Sequence, residues 1–350
     1  MKLPYVIAEI GVNFYDTAKT ENISPMDAAK KYITIAKEIG INAVKFQAYK
    51  ANTIVSKNSP AYWDTTKEPT CTQFELFKKF DSFGESDYKE LFNYCQSLNI
   101  DFLCTPFDYK SADFLSPLCK IFKISSSDLS NTDFIKYIAL KGKPVFLSVG
   151  ASYLSEIEEA VRILKDASCP DIVLLHCILS YPTKNSDANL AAIKALKRTF
   201  PDLKIGYSDH TMPDNNMQTL STAYLYGAEV IEKHFTLDKS LPGNDHYHAG
   251  DPNDFKKAID NFKLIQEVTG EESICVRDCE KISRREARRS LVLTTSKKAG
   301  EVVKHTDLIA KRPGTGIPAK YQFLIEGKII NKNLSEDSIL QWDDFFQKEI

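Results

Sequence analysis

Short apolar runs recur along the first 240 residues, separated by segments whose apolar positions fall three and four apart. The runs are VIAEI (6–10), AVKFQAY (43–49), DFLCTP (101–106), IFKISSS (121–127), PVFLSVG (144–150), IVLLHCI (172–178), KIGYSDH (204–210) and VIEKHFT (230–236). Rich in Val, Ile and Phe and nearly continuous in their hydrophobicity, they read as strands buried on both faces, as parallel strands are. Between them, SPMDAAKKYITIAKEIG places Ala29, Ile33, Ala36 and Ile39 on one helical stripe, with Ser24 as N-cap and Pro25 in the first turn. Asp87–Leu98, Thr132–Leu140, Ser155–Leu164, Asp187–Arg198, Asn216–Tyr226 and Asp254–Thr269 predict further helices, and Ser111–Leu115 a shorter one.

Eight strand–helix alternations over about 270 residues fit a (β/α)8 TIM barrel. A doubly wound open sheet is the alternative, but it usually has fewer strands. The first strand here is followed by GVNFYD, not by a glycine-rich dinucleotide turn. The barrel is expected over 1–272. The long connection from Thr53 to Gly84, rich in aromatics and lysine, is a candidate lid over the barrel mouth. Residues 273–289 are charged and read as a linker or extended arm. Residues 290–350, with SLVLTTS, EVVKH, YQFLIEGKII and a glycine-rich turn at RPGTGIP, predict a small mostly-β domain.

Composition removes several classes. The 350 residues are 43% hydrophobic and 26% charged with a net charge of −2, ordinary for a globular protein. That balance argues against a chain built around nucleic acid or an anionic membrane. No apolar run approaches the roughly 20 residues of a membrane helix, and MKLPYVIAEIG has no signal-peptide core. The eight cysteines form no CxxC pair and several lie in apolar runs, which predicts reduced thiols and a cytoplasmic protein.

In a TIM barrel, functional groups gather at the C-terminal ends of the strands. Here those ends carry Glu9, Lys45, Gln47, Lys123 with Ser125, Ser126 and Ser127, Ser148 before Gly150, His176, Ser208 with His210, and Glu232 with His234. Polar groups inside apolar strands cost free energy unless paired, so their presence on nearly every strand points to a site. A lone strand-end histidine is usually a hydrogen-bonded core residue. Two at matched ends, beside Ser208 and Glu232, suit a divalent metal. Lysines, hydroxyls and a glycine-bounded turn suit a phosphate and a carboxylate together. Lys123 could instead form a Schiff base, and His210, His234, His246 and His248 could form a hydrolase-type metal cluster.

The motifs IAEIGVN, AVKFQ, FLCTPFD, FKISSSD, HC..SYP, GYSDHT, VIEKHFTLDKSLPGNDH and KRPGTGI resemble, in order and over nearly the whole chain, the sialic acid synthase family. Such enzymes condense phosphoenolpyruvate (PEP) with an N-acylated amino sugar to a nonulosonic acid. The resemblance implies a C-terminal SAF (antifreeze-like) domain, swapped across a homodimer. It implies that His210 and His234 hold a divalent ion, Mn²⁺ first and Mg²⁺ or Co²⁺ as alternatives. Lys45, Lys123, Ser126, Ser148 and Ser208 match PEP-binding positions, and Glu9, Gln47, Tyr181 and Asp245 match positions facing the sugar. Glu232 matches a proton-transfer carboxylate and Arg312 an arginine reaching the partner's site. GVNFYDTAKTENIS, Leu179, LSVGAS and DHYHAGDP, which adds His248, depart from the family pattern around the acceptor pocket. N-acetylmannosamine is the first expectation for that acceptor, with a di-acylated hexose, as for legionaminic or pseudaminic acid, the alternative.

Overall fold

A computed structural model describes residues 2–243 and 245–346. Met1 at the start of the expected barrel, Asn244 in the GNDH run and 347–350 at the end of the expected small domain lie outside the described residues. The chain divides into two compact units, Met1–Gly270 and Glu271–Ile350.

All eight predicted strands form. They are β1 (Tyr5–Gly11), β2 (Ala43–Ala48), β3 (Asp101–Pro106), β4 (Phe122–Ile124), β5 (Val145–Ser148), β6 (Ile172–His176), β7 (Lys204–Asp209) and β8 (Val230–His234). Every ladder is parallel, in the order β3-β2-β1-β8-β7-β6-β5-β4, and β3 lies beside β4, so the sheet curls into a nearly closed barrel. Strand alternation sorts the side chains. Ile7, Ala43, Leu103, Phe146, Val173, Leu175 and Val230 fill the barrel interior, while the intervening residues and the helices build the larger outer core. Two residues further along the same inward faces come Glu9, Lys45, Thr105, Ser148 and Glu232. The interior is therefore apolar below and charged above.

The capping signals hold where they are strong. Ser24 accepts a hydrogen bond from the Asp27 amide at 3.0 Å and starts the helix Pro25–Ile39, which Gly40 ends at φ +92°. The weak candidate at Ser111–Leu115 is a real helix, Tyr109–Leu115, capped by Asp108. Two elements escape the pattern. GVNFYDTAKTENIS is not a long turn: Phe14–Glu21 is helical, burying Phe14, Thr17 and Ala18 at helical spacing. A stripe so short gives no sustained period. The expected lid segment likewise contains the helix Gln73–Lys79, with Thr72 as N-cap, and a small folded centre where Trp63 donates to the Glu68 carbonyl at 3.1 Å.

In the second unit, β9 (Ser290–Leu293) pairs antiparallel with β10 (Leu308–Lys311) around Leu291, Leu293, Val303, Leu308, Ile317, Ile325, Ile330, Leu340 and Phe345. Here the strand expectations need correction. YQFLIEGKII is no strand: Ala319–Tyr321 and Gln322–Ile325 are helical turns stopped at Gly327, φ +81°. EVVKH contributes only an isolated bridge, Val302 to Ile329. The 273–289 segment is exposed throughout and is partly helical, Lys281–Ala287, where helix-forming Lys, Arg, Glu and Ala dominate.

Gly206 on β7 shows how closely the barrel is packed. A Cβ there would stand 2.7 Å from the Val230 carbonyl oxygen and 2.8 Å from Leu175 Cδ2. Gly206→Ala is expected to cost about 1–3 kcal/mol by overpacking, read as a lower denaturation midpoint in urea; an unchanged midpoint would contradict this packing.

Candidate active site

The inward residues at the strand ends surround one cavity. Glu9, Lys45, Gln47, Thr105, Phe107, Lys123, Ser125, Ser126, Ser148, Cys177, Tyr181, Ser208, His210, Glu232 and His234 line it. Of the residues singled out by sequence, Ser127, His176, Asp245, His246, His248 and Arg312 lie off the lining. Asp245 stands just behind His234, with Oδ2 3.7 Å from Nδ1. Arg312 is an exposed residue of the second unit, directly after β10.

Charge is concentrated at the floor. Glu9, Lys45, Lys123 and Glu232 are all buried. Lys45 Nζ lies 2.5 Å from Glu9 Oε2 and 3.7 Å from Glu232 Oε1, and donates to Thr105 Oγ1 at 3.2 Å. Lys123 Nζ lies 3.7 Å from the same Glu232 oxygen and donates to Ser148 Oγ at 2.7 Å. Ser208 donates to Glu232 Oε1 at 3.0 Å, and Gln47 to Glu9 Oε1 at 2.7 Å. Burial alone would neutralise each of these groups. For Glu232 burial is outweighed by the two lysines, which hold its carboxyl below the usual range. For Glu9 burial wins, and Glu232 adds to it, so its carboxyl is raised. Burial also lowers Lys123, whereas at Lys45 the two glutamates overcome it and the ammonium is held above its usual range. Glu232 Oε2 is buried with no hydrogen-bond partner, an acceptor left over inside the cavity.

The two imidazoles share this space, their ring centres 5.6 Å apart. His210 Nδ1 is 2.7 Å from the Ile178 carbonyl. A carbonyl only accepts, so Nδ1 carries the proton and Nε2 keeps its lone pair. His234 Nδ1 is buried without a hydrogen-bond partner, leaving Nε2 as the nitrogen toward the cavity. Burial lowers His210 from the usual 6.5 to about 4, and His234 to about 3. Both are thus neutral near pH 7, as metal ligation requires. Behind the sheet, the fully buried pair Lys233–Asp209, at 2.6 Å, fastens the segment carrying His210. Asp209 also accepts from Tyr207 and Thr211, and Lys233 donates to the Thr211 carbonyl at 2.8 Å.

Above the floor, the loop from Thr236 to Gly250 closes on itself, since the Gly250 amide bonds the His234 carbonyl at 2.8 Å and the Thr236 amide the Gly250 carbonyl at 3.1 Å. Tyr181 packs on His210, ring centres 4.3 Å apart, and its carbonyl accepts from the Tyr247 hydroxyl at 3.2 Å. Lys67, from the expected lid, sits 6.0 Å from the Tyr247 ring centre, so that segment does reach the mouth.

Two expectations are corrected. His176 points outward: its ring stacks on Tyr207 and Nε2 bonds the Ala188 carbonyl at 2.9 Å, and Cys177 takes the inward place. A four-histidine cluster does not form either. His246 is spent on Thr236 Oγ1 at 2.7 Å and lies 3.4 Å from Asp16 Oδ2 in the unpredicted first helix. Thr105 was missed, although alternation from Leu103 puts it on the inward face.

In the metal-free protein, histidine nitrogen NMR shifts are expected to show His210 and His234 still neutral at pH 5. Midpoints near 6.5 for either would contradict the buried, desolvated placement.

With this geometry in view, comparison with known proteins is specific. A model of the NeuB family matches residues 32–273, and one of the SAF domain matches 288–345. N,N'-diacetyllegionaminic acid synthase of Campylobacter jejuni is 37% identical over 97% of this chain and 100% of its own length, and that of Legionella pneumophila 36% over 97% and 94%. The crystal structure of N-acetylneuraminic acid (sialic acid) synthetase from Leptospira borgpetersenii, in complex with citrate, superposes with a TM-score of 0.68 at 32% identity, covering 81% of this chain and 90% of that one. These matches make the chain a member of the NeuB family of nonulosonic acid synthases, with an SAF domain C-terminal to its barrel in sequence.

Proposed function

We propose that this chain condenses PEP with an N-acylated hexose, giving a 3-deoxy-2-keto sugar acid and phosphate. The observation that carries the reading is the common cavity in which two buried lysines, several serine hydroxyls and two neutral imidazoles converge. PEP carries its carboxylate and phosphate close together. Lys45 and Lys123, with Ser126, Ser148 and Ser208, offer point charges and hydroxyl donors spaced for such an anion. The carboxylates already beside the lysines keep their ammonium forms favoured before substrate arrives. Lys123 is lowered by burial, the direction a Schiff-base lysine needs, but Glu232 beside it opposes the loss of its proton.

Among the described residues, no three His, Cys, Asp or Glu side chains gather at metal-ligand spacing. His210 and His234 therefore suit a divalent ion, Mn²⁺ in the first instance, that takes its remaining ligands as oxygen from substrate and water. When bound, such an ion supplies Lewis-acid polarisation of the acceptor aldehyde. In the condensation the PEP methylene carbon forms the new C–C bond to the aldehyde carbon, and the aldehyde oxygen gains a proton. Water adds to the carbon that still bears the phosphate. Loss of phosphate then leaves the ketone. Glu232, with Oε2 unpaired in the cavity, is placed to move a proton, while the closed loop and the barrel floor hold both substrates aligned.

Glu9, Gln47, Tyr181 and Asp245 would face the sugar. Arg312 would serve the acceptor end of a partner's barrel in a domain-swapped homodimer, in a cytoplasmic setting. A di-N-acylated hexose is favoured as acceptor over N-acetylmannosamine, because the legionaminic acid synthases cited above are 37% and 36% identical to this chain, against 32% for the sialic acid synthetase. The test is phosphate release from PEP with Mn²⁺ over a panel of mono- and di-N-acylated hexoses. Release requiring both PEP and sugar, fastest with a di-acylated hexose, is expected. No release with any sugar, in folded and metal-loaded protein, would contradict the reading, and a preference for N-acetylmannosamine would correct the acceptor.

A further inference from the structure

His248 stands apart from the residues used so far. It is fully buried, and neither ring nitrogen has a hydrogen-bond partner. An apolar side chain would fill the same space without leaving a buried polar group unpaired. It lies outside the cavity lining and packs edge-on against His234, ring centres 5.2 Å apart, between Tyr181 and Tyr247. A carboxylate neighbour is informative. His248 Nε2 is 3.7 Å from Asp245 Oδ1, and the other oxygen of that carboxylate is 3.7 Å from His234 Nδ1. Asp245 thus stands between two imidazoles, one facing the cavity and one behind it.

We propose that His248 is a positioning residue: it grips Asp245, which in turn fixes His234 with Nδ1–H toward the carboxylate and Nε2 toward the metal. The inference rests on the metal reading given under the proposed function. Both 3.7 Å separations lie just outside hydrogen-bond range, so a small inward movement of the closed 236–250 loop makes both bonds at once and satisfies two buried orphan nitrogens. Direct ligation by His248 is disfavoured by its place outside the cavity. A carboxylate behind a metal-bound histidine orients the ring and raises its basicity, and losing such support typically weakens metal binding by about 10–100-fold.

The test uses the full-length protein and Mn²⁺ alone, without either substrate, following free Mn²⁺ by its paramagnetic resonance signal. His248→Ala is expected to bind Mn²⁺ about 10–100-fold more weakly than the unmodified chain. His248→Gln, whose amide N–H falls near the position of imidazole Nε2 and can donate to Asp245, is expected to bind nearly as the unmodified chain does. The visible absorption of bound Co²⁺ should change in the alanine variant and be restored in the glutamine variant. Equal Mn²⁺ affinity in His248→Ala overturns the inference. So does a His248→Gln that folds normally yet binds as poorly as alanine, since direct ligation or mere packing would then explain the loss. Absence of Mn²⁺ binding by the unmodified chain overturns the metal reading, and this inference with it.

Discussion

The structure depends on an electrostatic arrangement that would be untenable piece by piece. Two ammonium groups and two carboxyls are buried at the upper end of an otherwise apolar barrel. Each alone carries a desolvation penalty of several kcal/mol. Together they interlock through Glu232 Oε1, which is 3.7 Å from both lysines and accepts from Ser208. The arrangement is nonetheless incomplete, since Glu232 Oε2 remains unpaired. A site with mutually stabilised but under-satisfied charges is preorganised for an incoming polar ligand, with little left to reorganise when it arrives.

That arrangement also accounts for the packing around it. Gly206 lets β7 and β8 approach closely enough for Ser208 to reach Glu232. Behind them, Lys233 and Asp209 form a separate ion pair with four further hydrogen bonds, all on the outer side of the strand pair. The inner faces of β7 and β8 thus line the cavity, and the outer faces serve to hold His210 in place. The loop carrying Asp245, His246 and His248 is tied at its base by backbone bonds and at its side by His246 to Thr236. Its two histidines, one residue apart from being neighbours, do different work for this reason.

Much of this was legible in sequence because the strands repeat strictly every two residues and end in polar groups. That rule found Glu9, Lys45, Lys123, Ser148, Ser208, Glu232 and both histidines of the cavity. It failed where phase was misread by one residue, at His176 and Cys177, since an apolar run buried on both faces does not reveal which residue turns inward. It failed again where tertiary contact decides structure. Phe14–Glu21 is helical because its short stripe packs on the barrel, and YQFLIEG turns helical within a small core that local β-propensity cannot foresee. The loop histidines could not be told apart by spacing, because their partners, Thr236, Asp16 and Asp245, are set by how the loop closes.

The central claim is that the buried lysines form an anion receptor for PEP. Isothermal titration of PEP into the unmodified chain and into Lys123→Met, without sugar or metal, tests it most directly. Charge-assisted hydrogen bonds contribute about 1.5–3 kcal/mol each, so the variant should bind PEP about tenfold more weakly or worse while keeping its fold. Equal affinity in the two proteins would contradict the account.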